Sequence, residues 1–281
     1  MAKTKPPYYP FDADRAEEQR RLVVLGGLSE RNTERVFREA GLGSGMRVLD
    51  LGSGAGDVAM LVARLVGAQG SVLGVEQSAE AVASAQRRIA QAGYDNVTVI
   101  RGDINALDDV LDARESSFDA VVGRAILMYL PDPVALIRAS VQRLRPGGLL
   151  CFREPDMTYD WVAPRSPLWD QVRDWFLQTA TRAGFNPRMA FQLPQTLREA
   201  GLPHPELRLD AVIGQGPNAP IDFWADFVCG LVPAMATLGV ATAADVDAPT
   251  LTDRLKAETE AHDGIVLCPL IISAWTRTLI S

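Results

Sequence analysis

The stretch VLDLGSGAGDVA, Val48 to Ala59, sets glycines at 52, 54 and 56 directly behind an apolar run that contains Asp50. The run reads as a buried strand, and the glycines strip side chains from the turn that leads into the next helix. So bare a backbone lets a ligand approach the main chain, while the helix behind it presents unpaired amides.

From residue 46 the chain repeats this theme. "MRVLDLG", a helix over 57–66, "GSVLGVE", a helix over 78–92 and "NVTVIRGD" follow one another, then "FDAVVGRA", a helix over 132–144 and "GGLLCFREP". Strand and helix at this spacing form an open, mostly parallel α/β sheet covered on both faces. Gly67, Gly70 and Gly93 end helices, and "RPGG" at 145–148 closes the helix before the fifth strand. Residues 12–40 read as one bent helix or two short ones around Gly26 and Gly27. Beyond 156 come helices over 167–183 and 194–200, the strand "PELRLDAVIG", and helices over 220–238 and 250–262. "GIVLCPLIISAWTRT" mixes strand and helix signals. One domain over 1–281 follows: a helical cap (1–43), a ligand-binding core (44–156), and substrate-side helices with the last strands (157–281).

The 281 residues are 47% hydrophobic with a formal charge of −7, a balance that argues against nucleic acid or an anionic membrane as main partner. No leader pattern opens the sequence and no uninterrupted apolar stretch is long enough for a bilayer, so a cytoplasmic monomer or homodimer is expected. Cys151, Cys229 and Cys268 lie far apart and the histidines are two, His204 and His262, which suggests neither a metal site nor a disulfide.

In an open α/β sheet ligands bind beyond the carboxyl ends of the strands, where strand order reverses. A dinucleotide needs GxGxxG, but counted from Gly52 the last position is Asp57, and counted from Gly54 it is Ala59. A carboxylate aimed at a pyrophosphate serves it poorly.

Taken together, "VLDLGSGAGD", "VLGVE", "IRGDI", "FDAVVGRA" and "LRPGGLL" resemble successive motifs of the class I S-adenosylmethionine-dependent methyltransferases, over roughly residues 46–152. The resemblance implies a Rossmann-like seven-stranded sheet, S-adenosylmethionine as cofactor and S-adenosylhomocysteine as product. It places Asp50 near the cofactor's amine and Gly52, Ser53, Gly54 and Gly56 against its carboxylate and ribose. Glu76, with Gln77 beside it, would take both ribose hydroxyls. Asp103 would accept from the adenine amine with Ile104 against the ring, and Gly123 and Arg124 would hold the methionine end.

Methyl transfer is an in-line displacement, for which the protein mainly positions a nucleophile and excludes water. Candidates on the acceptor side are Tyr129, Glu154 and Asp156 after the fourth and fifth strands, with Arg124 as a partner for a substrate oxygen. Tyr8, Tyr9, Tyr159, Trp161 and Trp169 are candidate lid and pocket aromatics, with Arg188 and Met189 beside them. Phe223, Trp224 and Phe227, at helical spacing, read as core or a subunit contact. The expected activity is methylation of a small-molecule O-, N- or C-nucleophile, as in secondary or quinone metabolism. Non-consumptive use of the cofactor in a cyclisation or rearrangement, and a cofactor-binding regulator without turnover, stay open. Arsenic methylation would need thiols gathered on one site, and Cys151 lies mid-strand.

Overall fold

The structure is a computed structural model and describes residues 10–11, 29–111 and 117–279. Of the N-terminal helical reading, a helix over 29–39 (α1) is described; the proposed break at Gly26 and Gly27 lies outside the described residues.

Four parallel pairings build the centre: β1 (Arg47–Leu51) against β2 (Ser71–Glu76) and β4 (Phe118–Arg124), β2 against β3 (Val97–Arg101), and β4 against β5 (Leu144–Asp156). The sheet is completed by β10 (Leu270–Arg277), antiparallel to both β5 and β7 (Glu206–Asp210), in the order β3-β2-β1-β4-β5-β10-β7. Strand order therefore reverses between β1 and β4, directly behind the glycine turn.

The strands are apolar on both sides because helices cover both faces. Val48, Val72 and Val122 meet Val36 and Phe37 of α1, with Leu61 and Val62 of α2 (Asp57–Val66) and Ala85 of α3 (Ala79–Ala92). The alternate residues Leu49, Leu51, Val121 and Phe152 join the larger core. That side carries α4 (Leu107–Val110), α5 (Pro133–Arg143), α6 (Pro167–Ala183), α7 (Met189–Glu199) and α8 (Ile221–Leu238). Ser78 caps α3 by accepting from the Ala81 amide, and Asp132 caps α5 by accepting from that of Ala135.

Several expectations need correction. Rather than closing a helix outright, "RPGG" lies within β5, where the pairing with β4 shifts register between Phe118 and Ala120. α7 starts at Met189, upstream of the expected 194, and carries Pro194 inside it; Met189, Ala190, Leu193 and Leu197 are all buried, and this packing outweighs the hydrogen bond proline removes. The ambiguous C-terminal stretch splits at Cys268–Pro269 into β9 (Ile265–Leu267) and β10. β9 joins β6 (Val162–Ala163) and β8 (Ile213–Gln215) in a small antiparallel sheet. α8 is followed by α9 (Ala243–Val246) and α10 (Ala248–Ala261). At 18 residues and a mean hydropathy of 1.4, α8 is long and apolar enough to cross a membrane by length and composition. A search for uninterrupted apolar runs passes over it because Asp222 and Asp226 interrupt the run; its Trp224, Val228 and Leu231 are fully buried in the larger core.

Candidate active site

The glycine turn is tied to the end of β2. Gly52 and Ser53 donate to the Val75 carbonyl at 2.9 and 3.1 Å, and Glu76 accepts from the Gly54 amide through Oε2 (3.0 Å) and from the Ser78 amide through Oε1 (2.9 Å). Each oxygen of Glu76 keeps a second lone pair. Gly52 has φ +68°, and a Cβ there would stand 2.5 Å from Ile126 Cδ1, so the turn accepts no side chain at that point.

Beneath the turn, Asp50 is 1% exposed and neither carboxylate oxygen has a hydrogen-bond partner among the described residues. Burial pushes its pKa up to about 7, against the pull of the Arg124 guanidinium. The buried Ser53 hydroxyl is likewise unpartnered. Asp57, which reads in sequence as aimed at a phosphate, is bound by Arg88 at 2.6 Å, and Arg88 also donates to the Ala55 carbonyl at 2.6 Å.

A cavity of about 280 Å³ opens beside this turn. Gly52, Ser53, Gly54, Glu76 and Gln77 line one half. Arg124 at the end of β4, with Met128 and Tyr129 after it, continues the wall, and Pro155 on β5, Met157 just after it and Ile271 on β10 extend it. Phe223 and Phe227 close the far side from α8. Sequence reasoning placed these two rings in the core or at a subunit contact, and it missed Met128, Met157, Arg153, Asp210 and Cys268 as lining residues.

Other expected residues lie elsewhere. Asp103 is exposed and outside the lining; its Oδ1 accepts from the Asn105 backbone and side-chain nitrogens, both at 2.9 Å, capping the short turn Ile104–Ala106. Ile104 is buried in the larger core. Gly56 starts α2, and Gly123 lies against Phe152, whose ring would stand 2.6 Å from a Cβ. Glu154 is fully buried: Oε1 accepts from the amides of Ile126 (3.0 Å) and Leu127 (2.9 Å), and Oε2 from that of Met128 (3.2 Å). It anchors the loop after β4 and presents nothing to the cavity. Asp156 accepts from the amide and hydroxyl of Thr158, at 2.9 and 3.0 Å.

Of the proposed lid aromatics, Trp161 and Trp169 are core and Tyr159 packs against it. Trp161 stacks on Trp224 with centroids 3.7 Å apart, Trp169 donates from its indole to Thr259 Oγ1 at 2.9 Å, and the Tyr159 hydroxyl donates to the Cys268 carbonyl. Arg188 is exposed with its guanidinium 5.9 Å from the Phe191 ring, and Met189 is buried in the larger core. Tyr8 and Tyr9 lie outside the described residues. Among the described residues no cluster of histidine, cysteine or carboxylate side chains could hold a metal.

The tether role of Glu76 sharpens one expectation. Glu76→Ala loses two amide acceptors at the turn as well as any acceptor for a ligand diol, and charge-assisted bonds contribute about 1.5–3 kcal/mol. The expected outcome is a 10- to 100-fold weaker cofactor affinity, roughly that energy in a binding constant. Titration calorimetry with S-adenosylhomocysteine measures it, and an unchanged affinity contradicts it.

Residues 42–201 match the family model described as a methyltransferase domain. The arsenite methyltransferase of Aquipseudomonas alcaligenes is 32% identical over 176 residues, 56% of this chain and 49% of that protein. The ubiquinone biosynthesis O-methyltransferase of Xanthomonas oryzae pv. oryzae is 36% identical over 107 residues, 38% of this chain and 42% of that protein. The chain thus spans half or less of the length of these relatives. In fold, a putative methyltransferase from Bacillus halodurans aligns over 89% of this chain and 99% of its own, with a TM-score of 0.60 at 17% identity. The family match covers more than half of the chain, including the glycine turn and every strand from β1 to β5. The chain belongs to the class I S-adenosylmethionine-dependent methyltransferase family.

Proposed function

We propose that this protein transfers the methyl group of S-adenosylmethionine to a small organic acceptor held against the apolar wall formed by Met128, Met157, Phe223 and Phe227. The observation that carries this reading is a single cavity bordered at one end by the glycine turn and at the other by this wall.

The residues present fit the cofactor. The two Asp50 oxygens, without a partner among the described residues, can take a donor, which an ammonium group supplies directly or through water. The remaining lone pairs of Glu76 match a vicinal diol, and Gly52 and Gly54 let a ligand approach the main chain. When bound, this cofactor supplies an electrophilic methyl on a sulfonium. The chain's own residues orient and enclose: the aromatic and methionine side chains exclude water, and the anchored loop sets the position of Met128 and Tyr129.

Proton abstraction is poorly provided for. Neither His204 nor His262 lines the cavity. Among the described residues beyond β4, the carboxylate that lines it is Asp210, which Arg35 and Arg153 engage. An acceptor that already carries an available lone pair suits this site.

The thiols bear on the arsenite-methylating relative. Cys268 lines the cavity and burial pushes its pKa up to about 11; Cys151 is buried in β5 with its thiol pushed up to about 12, and Cys229 sits on α8 outside the lining. All three cysteines of the chain are thereby placed, and they do not gather around one point where a trivalent arsenic could bind several sulfurs.

The test is calorimetric titration with S-adenosylmethionine, followed by incubation with metabolite fractions and assay for S-adenosylhomocysteine. We expect binding, homocysteine-product formation with an organic fraction, and no turnover of arsenite. Absence of binding at millimolar cofactor sinks the reading. Conversion of a metabolite without S-adenosylhomocysteine overturns methyl transfer in favour of non-consumptive use of the cofactor.

A further inference from the structure

The methyl-transfer reading leaves unused two guanidinium groups that line the cavity. Arg124 at the end of β4 and Arg153 on β5 are register partners in neighbouring parallel strands, so both side chains leave the sheet on one face. Arg124 donates from Nη1 to the Ser29 hydroxyl at 2.9 Å, a neutral oxygen, and among the described residues no carboxylate stands within ion-pair distance of it. Arg153 is 1% exposed. Its Nη1 donates to the Asn32 carbonyl at 3.2 Å, both terminal nitrogens reach Asp210 Oδ2 only at 3.5 Å, and Nε has no partner among the described residues.

Asp210 is a divided counter-ion. Its Oδ1 is held by Arg35 at 2.5 Å, with Arg208 Nε 3.8 Å from the same oxygen. One buried carboxylate thus faces three guanidinium groups, of which Arg208 is bound more closely by Glu39. Asp50 and Asp57 attract Arg124 from a distance, but Asp57 is bound to Arg88. Burial lowers the pKa of Arg124, and that of Arg153 to about 10, so both stay cationic at neutral pH in a poorly solvated place. A buried cation so loosely paired, beside a second that is half-buried, is a site for an anion, and the guanidinium fork matches a carboxylate.

Position indicates whose anion it is. The glycine turn follows β1, whereas Arg153 stands on β5, two strands across, about 10 Å away at the usual strand spacing. Its neighbours in the cavity wall are Pro155, Asp210 and Ile271, on the acceptor side. We propose that the methyl acceptor is an apolar carboxylic acid carrying a separate O- or N-nucleophile: its carboxylate pairs with Arg153 beside Arg124, its apolar body lies against Phe223 and Phe227, and the nucleophile's lone pair takes the methyl as the methyl–sulfur bond breaks and S-adenosylhomocysteine leaves. The proposal rests on the methyl-transfer reading.

The experiment is calorimetry on the full chain saturated with S-adenosylhomocysteine, with benzoate, 3-phenylpropionate and octanoate as probes, each against its neutral amide. At least one acid is expected to bind roughly tenfold or more tightly than its amide, the usual scale of one charge-assisted pair. Arg153→Met is expected to remove that preference and leave S-adenosylhomocysteine affinity unchanged. Asp210→Asn, which removes the competing internal carboxylate, is expected to tighten acid binding roughly 3- to 10-fold, an effect that a merely structural arginine does not produce. Should Arg153→Met fail to fold, Asp210→Asn decides alone. Equal binding of acids and amides, or no acid binding, overturns the proposal. So does a loss of cofactor affinity in Arg153→Met as large as the loss of acid affinity, which assigns the carboxylate to the cofactor. If S-adenosylhomocysteine itself does not bind, the methyl-transfer reading falls and takes the proposal with it; if it binds without acid preference, the proposal alone falls.

Discussion

Asp50→Asn is expected to weaken S-adenosylmethionine binding by about 100-fold, the scale of one buried charge-assisted bond, while making the ligand-free protein more stable at pH 8. The two effects share a cause. Asp50 is buried with no hydrogen-bond partner for either oxygen among the described residues, and its pKa rises from 3.8 to about 7 because burial disfavours the charge. A carboxyl with a raised folded-state pKa favours folding below its unfolded value and loses that contribution as pH climbs through about 7. At pH 8 the ionised group costs the ligand-free protein at most about 4 kcal/mol. Asparagine removes the charge but leaves a buried amide, so the gain is smaller, about 1–2 kcal/mol or roughly 2–4 °C. At pH 5, where the wild-type carboxyl is protonated, the gain disappears. Cofactor affinity of the wild type follows the same group: an ammonium partner needs the carboxylate, so affinity falls as pH drops below about 7, by up to about tenfold per pH unit. Thermal melts at pH 5 and 8 together with calorimetry check both halves. A variant that binds the cofactor normally, or gains the same stability at both pH values, contradicts this account of Asp50.

Glu154→Ala is expected to destabilise the fold by about 3–5 kcal/mol, because three amides lose their acceptor in a water-free place and a cavity is left behind. Both oxygens are committed, Oε1 to Ile126 and Leu127 and Oε2 to Met128, and burial pushes the pKa to about 7 while these three amides pull it down. Glu154→Gln separates the bonds. Its carbonyl oxygen can keep Ile126 and Leu127, but its amide nitrogen then faces the Met128 N–H, donor against donor. That variant is expected to lose about 1–2 kcal/mol and to speed hydrogen exchange at Met128 more than at Ile126 and Leu127. Because Ile126, Met128 and Tyr129 line the cavity, KM for the acceptor should rise in the glutamine variant with cofactor affinity retained. Urea unfolding, exchange by mass spectrometry and steady-state kinetics supply the readings. Equal exchange at all three amides, or a Glu154→Ala protein as stable as wild type, removes the loop-anchor role.

The convergence of the glycine turn, Asp50 and Glu76 on one edge was legible in the sequence because local chemistry sets it. Alternate glycines behind a buried strand, an acid before them and an acid ending the next strand reach the same edge whenever consecutive parallel strands lie side by side, and β1 and β2 do. Asp103 differs on the same local ground: an aspartate two residues before Asn105 can cap its own turn, and its Oδ1 does so, outside the lining of the cavity. The aromatic wall was not legible. Trp161 and Trp169 cluster in sequence with Tyr159, yet Trp161 finds its partner in Trp224 and Trp169 in Thr259, far along the chain, while Phe223 and Phe227 turn toward the cavity.

By itself, the order of apolar runs, glycines and acids determined a parallel sheet with a bare glycine turn at its carboxyl edge, since those signals act over a few residues. Only tertiary structure decided which of two neighbouring residues on β5 reaches the cavity. Successive side chains of a strand point to opposite faces, so Arg153 lines the site and Glu154 anchors the loop. That parity is set by pairing with β4 and with β10, which returns from the other end of the chain, and no local pattern records it.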